Sequence, residues 1–296
     1  MDNQRICPLC KSEHNSAFER TKSFGFALIY YQCSNCGLVF QSAAESQTSG
    51  PTFYEETYRK VYQSSEAPTP KDLKIQQQRA LNQVRRLKQF GVKGVRRALD
   101  VGASTGVLLD TIGSSFNAQT VGIEPGRVYR QFAEAKGLEM VASLEDLLEA
   151  KPERFDLISL MHVLEHLADP LETLIILRES LLTEEGHLLI EVPNFYAHDS
   201  YELAHLTCFT PHSLREMVRQ AGYQVVREEK HGFPRSKILK LYLTILAKPV
   251  GDTPTLQSVK PESLVRLKRS TGMFYRKIMQ KVVPGLAWLP TEPQAR

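Results

Sequence analysis

The sequence predicts an α/β protein: a mostly parallel sheet with helices on both faces, plus a small N-terminal metal-dependent module and a C-terminal helical extension. Three observations lead there. Strand-length apolar runs alternate with helix-length amphipathic runs from "RALDVG" to "HLLIEVP". The first of these strands ends in Asp100 and breaks into a turn holding Gly102 and Gly106, the way a buried strand meets a ligand loop at a helix start. Four of the five cysteines form two Cys-x-x-Cys pairs near the N-terminus.

Taken in order, Cys7-Pro-Leu-Cys10 and Cys33-Ser-Asn-Cys36 read as knuckles converging on one tetrahedral zinc, with a redox dithiol as the alternative. Four thiolates leave no open position for water, so the expected zinc is structural. Residues 1–45 are expected to form this ribbon around "FALIYYQC" and "LVFQ", with too little apolar mass to fold without metal. Residues 46–70 turn polar and read as a linker or lid. Residues 71–249 carry the α/β domain, opened by a helix with Leu81, Val84 and Leu87 on its apolar stripe and Gly91 as its stop. "AQTVGIEP", "LEMVA", "FDLISLM" and "HLLIEVP" read as further strands. "TPHSLREMVRQAG" is a helix with a Thr-Pro start, and "YQVVREE" and "SKILKLYLTILA" read as a closing antiparallel pair. Residues 250–296 hold a polar stretch and one basic helix.

Composition excludes some classes. At 42% apolar and 24% charged residues the chain is globular in character, and no run approaches the ~20 apolar residues a spanning helix needs. The first residues lack the apolar core of a secretion signal, so a cytoplasmic location is expected. The net charge of +4 is uneven: residues 255–296 carry eight Lys/Arg against two Glu. That tail suits a solvated face first, and then a membrane surface or an anionic substrate.

The glycine turn departs from the dinucleotide fingerprint, which would place Gly at 104 and Gly or Ala at 107. The chain has Ser104 and Val107. The pattern that fits is acidic-x-Gly-x-small-x-Gly, from Asp100 through Ser104 to Gly106. Asp100 would welcome a cationic amino acid group, the helix start beyond Gly106 a carboxylate, and Glu124 at the end of the second strand two ribose hydroxyls.

"LDVGASTG", "GIEP", "FDLISLMHVLEHLADP" and "GHLLIEVPN" together resemble the class I S-adenosylmethionine (SAM)-dependent methyltransferases, from about residue 72 to 248. The resemblance implies a Rossmann-like seven-stranded sheet with its last strand antiparallel, and SAM as cofactor. It implies a cofactor set of Asp100, Gly102, Ala103, Ser104, Gly106, Glu124 and Met161, with Ser104 standing where the family usually has glycine. The paired cysteines ahead of such a domain are similar to a subgroup acting on sugars and other small metabolites, and "LEHLADP" is similar to quinone-biosynthesis O-methyltransferases.

Methyl transfer is an in-line displacement that depends on positioning and, for a hydroxyl or amine, on a base. His162 directly follows the fourth strand and is the first candidate; His205, in "YELAHLTCFTPHSL", competes, and His166 is a third. If the turn is helical, His162 and His166 share a face and Glu165 points away. His162, Glu165 and His166 also occupy positions that hold a divalent ion in some quinone methyltransferases, although histidine in the first position suits magnesium poorly. Cys208 reads as a small buried residue. The expected activity is methyl transfer to a small polar acceptor such as a sugar, nucleotide-sugar or glycolipid precursor, at O, N or C. An RNA- or protein-directed enzyme and a cofactor-binding inactive partner are the alternatives. The charge-neutral ribbon disfavours nucleic acid.

Overall fold

A computed structural model of the chain describes residues 6–23, 26–41, 67–251 and 258–289. The lid expected at 46–70 lies outside these except for its last four residues.

The main sheet has seven strands: β4 (Arg97–Val101), β5 (Gln119–Ile123), β6 (Glu139–Val141), β7 (Phe155–Met161), β8 (Leu182–Pro193), β10 (Tyr223–His231) and β11 (Tyr242–Pro249). Their spatial order is β10-β11-β8-β7-β4-β5-β6. Strands β4 to β8 run parallel, whereas β11 is antiparallel to both β8 and β10. This is the Rossmann-like seven-stranded sheet the sequence led us to expect. Its centre is Leu99, Leu157, Ile158, Leu160, Leu188 and Ile190, all fully buried, as residues covered on both faces must be. Strand order reverses between β4 and β7, and ligands of such sheets sit at the carboxyl ends there.

Helices α2 (Val107–Phe116), α3 (Arg127–Glu134), α4 (Leu144–Glu149), α5 (Pro170–Ile176) and α6 (Pro211–Gln220) make the crossovers, and α1 (Pro70–Gln89) precedes β4. Thr69 caps α1 reciprocally with Asp72, and Pro70 pre-sets its first turn. The expected stripe on α1 needs one correction. Val84 and Leu87 are buried, but Leu81 is 52% exposed and Ala80 faces inward in its place. The inward side is shared with polar residues, as described below.

The N-terminal strands β1 (Asn15–Ser23), β2 (Phe26–Cys33) and β3 (Val39–Gln41) form an antiparallel sheet whose fourth member, β9 (Thr207–Cys208), comes from the α/β region. The ribbon is therefore stitched to the larger sheet's connection after β8. Tyr30 Oη donates to the Glu202 carbonyl at 2.8 Å and Gln41 Nε2 to the His205 carbonyl at 2.8 Å. Leu9, Tyr31, Leu38 and Phe40 join the same apolar cluster as Leu160, Leu164 and Phe209.

The C-terminal helix α7 (Val265–Val282), continued by α8 (Pro284–Ala287), packs on the domain through Val265, Arg269 and Arg276. Arg269 donates to the carbonyls of Phe195 and His198, and Arg276 to that of Ala197 at 3.1 Å while pairing with Asp199 at 2.7 Å. Two buried guanidinium groups thus satisfy the carbonyls of an irregular loop after β8 that no ladder pairs.

Candidate active site

At the end of β4 the chain turns sharply. Gly102 (φ 75°), Ser104 (φ 53°) and Gly106 (φ 73°) all lie in the left-handed region. A Cβ on Gly102 would sit 2.4 Å from Val163 Cγ2, and one on Gly106 2.3 Å from Leu138 Cδ1, so the turn is wedged between the β7 and β6 ends. Ser104 bears a side chain in a backbone region that favours glycine, which explains why the resemblance expects glycine there. Glu124 fixes the turn: its carboxylate accepts from the amides of Ser104 at 2.9 Å and Gly126 at 2.7 Å. Ala103 is buried at the turn's root, its amide donating to the Ile123 carbonyl.

Asp100, 3% exposed, accepts from the Ser159 hydroxyl at 2.6 Å. Burial pushes its carboxyl up to about 7, with the nearby Glu124 charge adding to the effect and Ser159 opposing it. An acid held so far from its ordinary range beside a ligand turn is where a cationic group would gain most.

The end of β7 builds the second half. Met161 is half-buried against the Val84 and Leu87 side of α1. His162 takes φ 57°, a conformation that turns its ring back across the strand ends, and its amide donates to the Glu191 carbonyl at 2.8 Å. Its Nε2 lies 3.2 Å from Glu191 Oε1 and its Nδ1 3.5 Å from Glu165 Oε1. Burial presses the imidazole toward neutrality, but the two facing carboxylates prevail and raise its pKa.

Glu165 is the correction here. It lies in a short 3-10 turn, Leu164–His166, rather than on a helix shared with His162, and points inward at 1% exposure. Neither carboxylate oxygen has a well-formed hydrogen bond. Burial opposes its charge, yet His162 and the adjacent His166 and His205 hold its pKa down to about 2. His166 Nδ1 meets the Ala204 carbonyl at 2.8 Å, leaving Nε2 3.9 Å from Glu165. His205 is buried, 4.9 Å from the His166 ring, and burial lowers its pKa to about 3. The three histidines therefore gather around one acid, with His166 and His205 on the ribbon side of Glu165.

Glu191 was not singled out from the sequence and is the hub of the site. It lies on β8, 2% exposed, and accepts from Gln83, from Thr244 Oγ1 at 2.9 Å and from His231 Nε2 at 3.0 Å, with Arg86 3.6 Å away. Burial would protonate it, but hydrogen bonds from His162 and His231 hold its pKa well below the usual range. The signal was present: an acid inside the apolar run "HLLIEVP" has to be paired. Gln76, Arg79, Gln83 and Arg86 of α1 supply the pairing along one helical face. Gln76 reaches Thr105 and Ser104, Arg79 reaches the Tyr242 hydroxyl at 3.4 Å, and Gln83 and Arg86 reach Glu191.

Tyr242, 1% exposed, packs edge-on against the His162 ring. The rings of His162, His198 and His231 lie 5.2, 5.7 and 5.6 Å from it, and the Arg79 guanidinium carbon is 5.6 Å from its centroid. His198 is held there by the loop that Arg269 and Arg276 secure.

Among the described residues two groups have the chemistry of metal sites: Cys7, Cys10, Cys33 and Cys36, and Glu165, His166 and His205. The cysteine sulfurs lie 3.6 Å (Cys7–Cys36) and 3.5 Å (Cys10–Cys33) apart. That is too far for a disulfide and near the ~3.8 Å edge of a tetrahedron with zinc–sulfur bonds of about 2.3 Å. Cys208 is buried and burial raises its thiol pKa, so it is inert packing.

The model of a family described as "Methyltransferase domain" matches residues 73–228, more than half of the chain. The chain belongs to this family and carries a methyltransferase domain. A curated relative, the ubiquinone biosynthesis O-methyltransferase of Hahella chejuensis, is 37% identical over 82 residues, 25% of this chain. The match spans only 34% of that relative's length. Among solved structures, a SAM-dependent methyltransferase from Archaeoglobus fulgidus is similar at TM-score 0.48 and 20% identity, over 58% of this chain and 94% of the other. The magnesium protoporphyrin IX methyltransferase of Synechocystis PCC 6803 is similar at TM-score 0.48 and 13% identity, over 68% and 98%. The matched family region of this methyltransferase, 73–228, holds the glycine turn, Glu124, His162 and Glu191, whereas the ribbon, Tyr242 and α7 lie outside it.

Proposed function

We propose that this methyltransferase transfers the SAM methyl group to a small polar acceptor bearing an anionic group: a sugar, nucleotide-sugar or glycolipid precursor. In this reading the turn from Gly102 to Gly106, with Ala103 and Ser104, cradles SAM. Asp100 faces its ammonium, Glu124 its ribose hydroxyls, and Met161 lines the pocket toward the reacting methyl. Bound SAM supplies an electrophilic methyl on a sulfonium. The chain's task is alignment and proton removal. His162 is the base in its neutral form: the ring nitrogen released from its carboxylate takes the acceptor's proton as the acceptor's lone pair takes the methyl, and the carboxylate still facing the other nitrogen stabilises the imidazolium. His205 and His166 orient Glu165 rather than touch the acceptor, because burial and backbone carbonyls fix both rings.

The observation that carries the anionic acceptor is Arg79. Its Nε is buried without a hydrogen-bond partner, beside Tyr242 and next to His162. A guanidinium whose terminal nitrogen makes one 3.4 Å bond to Tyr242, and whose Nε has none, keeps donors for a phosphate or carboxylate. The four cysteines hold a structural zinc that keeps the ribbon braced against the segment carrying His205. On this reading the protein acts in the cytoplasm or peripherally at a membrane; no described helix is long and apolar enough to cross a bilayer.

The test is S-adenosylhomocysteine release with a panel of nucleoside-diphosphate sugars, catechols and short RNAs. Turnover of a phosphate-bearing sugar, with Arg79→Ala raising KM at least about tenfold and leaving kcat nearly unchanged, supports the reading. Turnover confined to catechols or RNA overturns it.

A further inference from the structure

Helix α7 has two faces. Val265, Arg269 and Arg276 point into the domain, and Gly272 lets the helix lie against the Tyr196 carbonyl, where a Cβ would sit 2.0 Å from the oxygen. On the opposite side, Leu267, Phe274, Ile278 and Val282 fall within about 80° of one another at 100° per residue, and they are between 37% and 66% exposed. Leu286 (43%) and Trp288 (39%) are also exposed at the end of α8, the Trp288 ring lying 5.5 Å from the guanidinium carbons of Arg235 and Arg276. Lys277 and Lys281, both exposed, border the stripe on one side, while Lys268 on the other side pairs with Glu262 at 3.1 Å. From Ser263 to Leu289 the chain contains no acidic residue.

We propose that this face of α7 docks the enzyme on an anionic lipid surface. An apolar stripe of this size facing water needs a partner. The Lys277 and Lys281 border decides which one. Two copies pairing antiparallel stripe to stripe would set these lysines against their own counterparts, whereas a bilayer with acidic headgroups neutralises them while its acyl boundary takes up Leu267, Phe274 and Val282. The inner face of the same helix holds the 195–199 loop and hence His198 beside Tyr242, so docking brings the acceptor pocket close to the membrane plane. The inference rests on the α7 surface and stands whichever acceptor is methylated.

Trp288 is the chain's single tryptophan, which gives a direct readout. The full-length zinc-loaded protein is titrated with vesicles of phosphatidylcholine alone or mixed with phosphatidylglycerol at about 0.1 M salt. Expected are co-sedimentation with the anionic vesicles, a blue shift of Trp288 emission, and a loss of about tenfold or more in affinity for Leu267→Asp/Phe274→Asp and for Lys277→Glu/Lys281→Glu. Unchanged SAM affinity in both variants shows that they fold. Failure to bind anionic vesicles overturns the proposal, as does equal binding to neutral vesicles that the lysine changes leave untouched. A dimer in sedimentation that Leu267→Asp dissolves, with no vesicle binding, overturns it in favour of a contact between copies.

Discussion

Asp100 makes a prediction that needs no knowledge of the acceptor. Its carboxyl is buried, its pKa is pushed up to about 7, and on our reading it faces the cationic amino group of SAM. Without ligand at pH 6 it is then about 90% protonated, and ligand binding that restores an ordinary carboxylate expels about 0.9 proton. At pH 7 the release falls to about 0.5 and at pH 8 to about 0.1. SAM affinity accordingly rises about tenfold from pH 6 to pH 8, roughly 1.4 kcal/mol. The sign for stability follows from the same shift. A carboxyl whose folded pKa exceeds its unfolded value near 4 favours the folded state when protonated, so the ligand-free protein loses stability as pH climbs from about 4 through 7. Calorimetric titration in buffers of different ionisation enthalpy counts the protons. The amine of SAM titrates on its own, so the Asp100→Asn variant provides the baseline. Release equal in wild type and Asp100→Asn, with SAM still bound, would refute the assignment of Asp100 to the ammonium.

Three further outcomes are expected. Glu191→Gln removes one of the two acids that raise the pKa of His162, so the imidazole should titrate lower by NMR. The stability His162 contributes, complete below about pH 6.5 and lost as pH rises through its folded value, should shrink with it; an unmoved titration would put the cause elsewhere. Ser104→Gly relieves a left-handed backbone worth about 1 kcal/mol and should leave SAM affinity within about twofold, whereas a tenfold loss would assign the hydroxyl a binding role. Removing metal with a strong chelator should erase hydrogen-exchange protection in β1 to β3 while β4, β7 and β8 stay protected. Intact protection in the ribbon would mean its apolar contacts suffice without zinc.

Much of the fold could be read from residues. Alternation of β4 to β8 with helices was visible because parallel strands covered on both faces are nearly continuous apolar runs, and the Thr-Pro start of α6 announces itself through proline's fixed φ, whereas the Thr69-Pro70 start of α1 was read as the end of the linker. The cysteine cluster was legible for a different reason, since two thiolates in a tight turn leave few geometric options. Strand β9 was not legible. Two residues paired with β3 carry no periodic signal, and their partner lies far away in sequence. The same cause hid the tie between ribbon and His205, which runs through backbone carbonyls.

The site divided along the same line. Asp100, Glu124 and His162 end strands, and position alone marked them. Glu191 and the Gln76–Arg79–Gln83–Arg86 face of α1 escaped because a helix lying over strand ends breaks the rule that buried faces are apolar. Leu81 illustrates the point: periodicity placed it in the core, yet the inward arc of α1 is occupied by groups that satisfy Glu191, and the leucine turns to water at 52% exposure. A buried carboxylate stripped of these donors would cost several kcal/mol, more than the roughly 2 kcal/mol that burying one leucine returns. Helix orientation here follows the larger energy, and a polar stripe opposite an exposed leucine is the mark such a helix leaves in sequence.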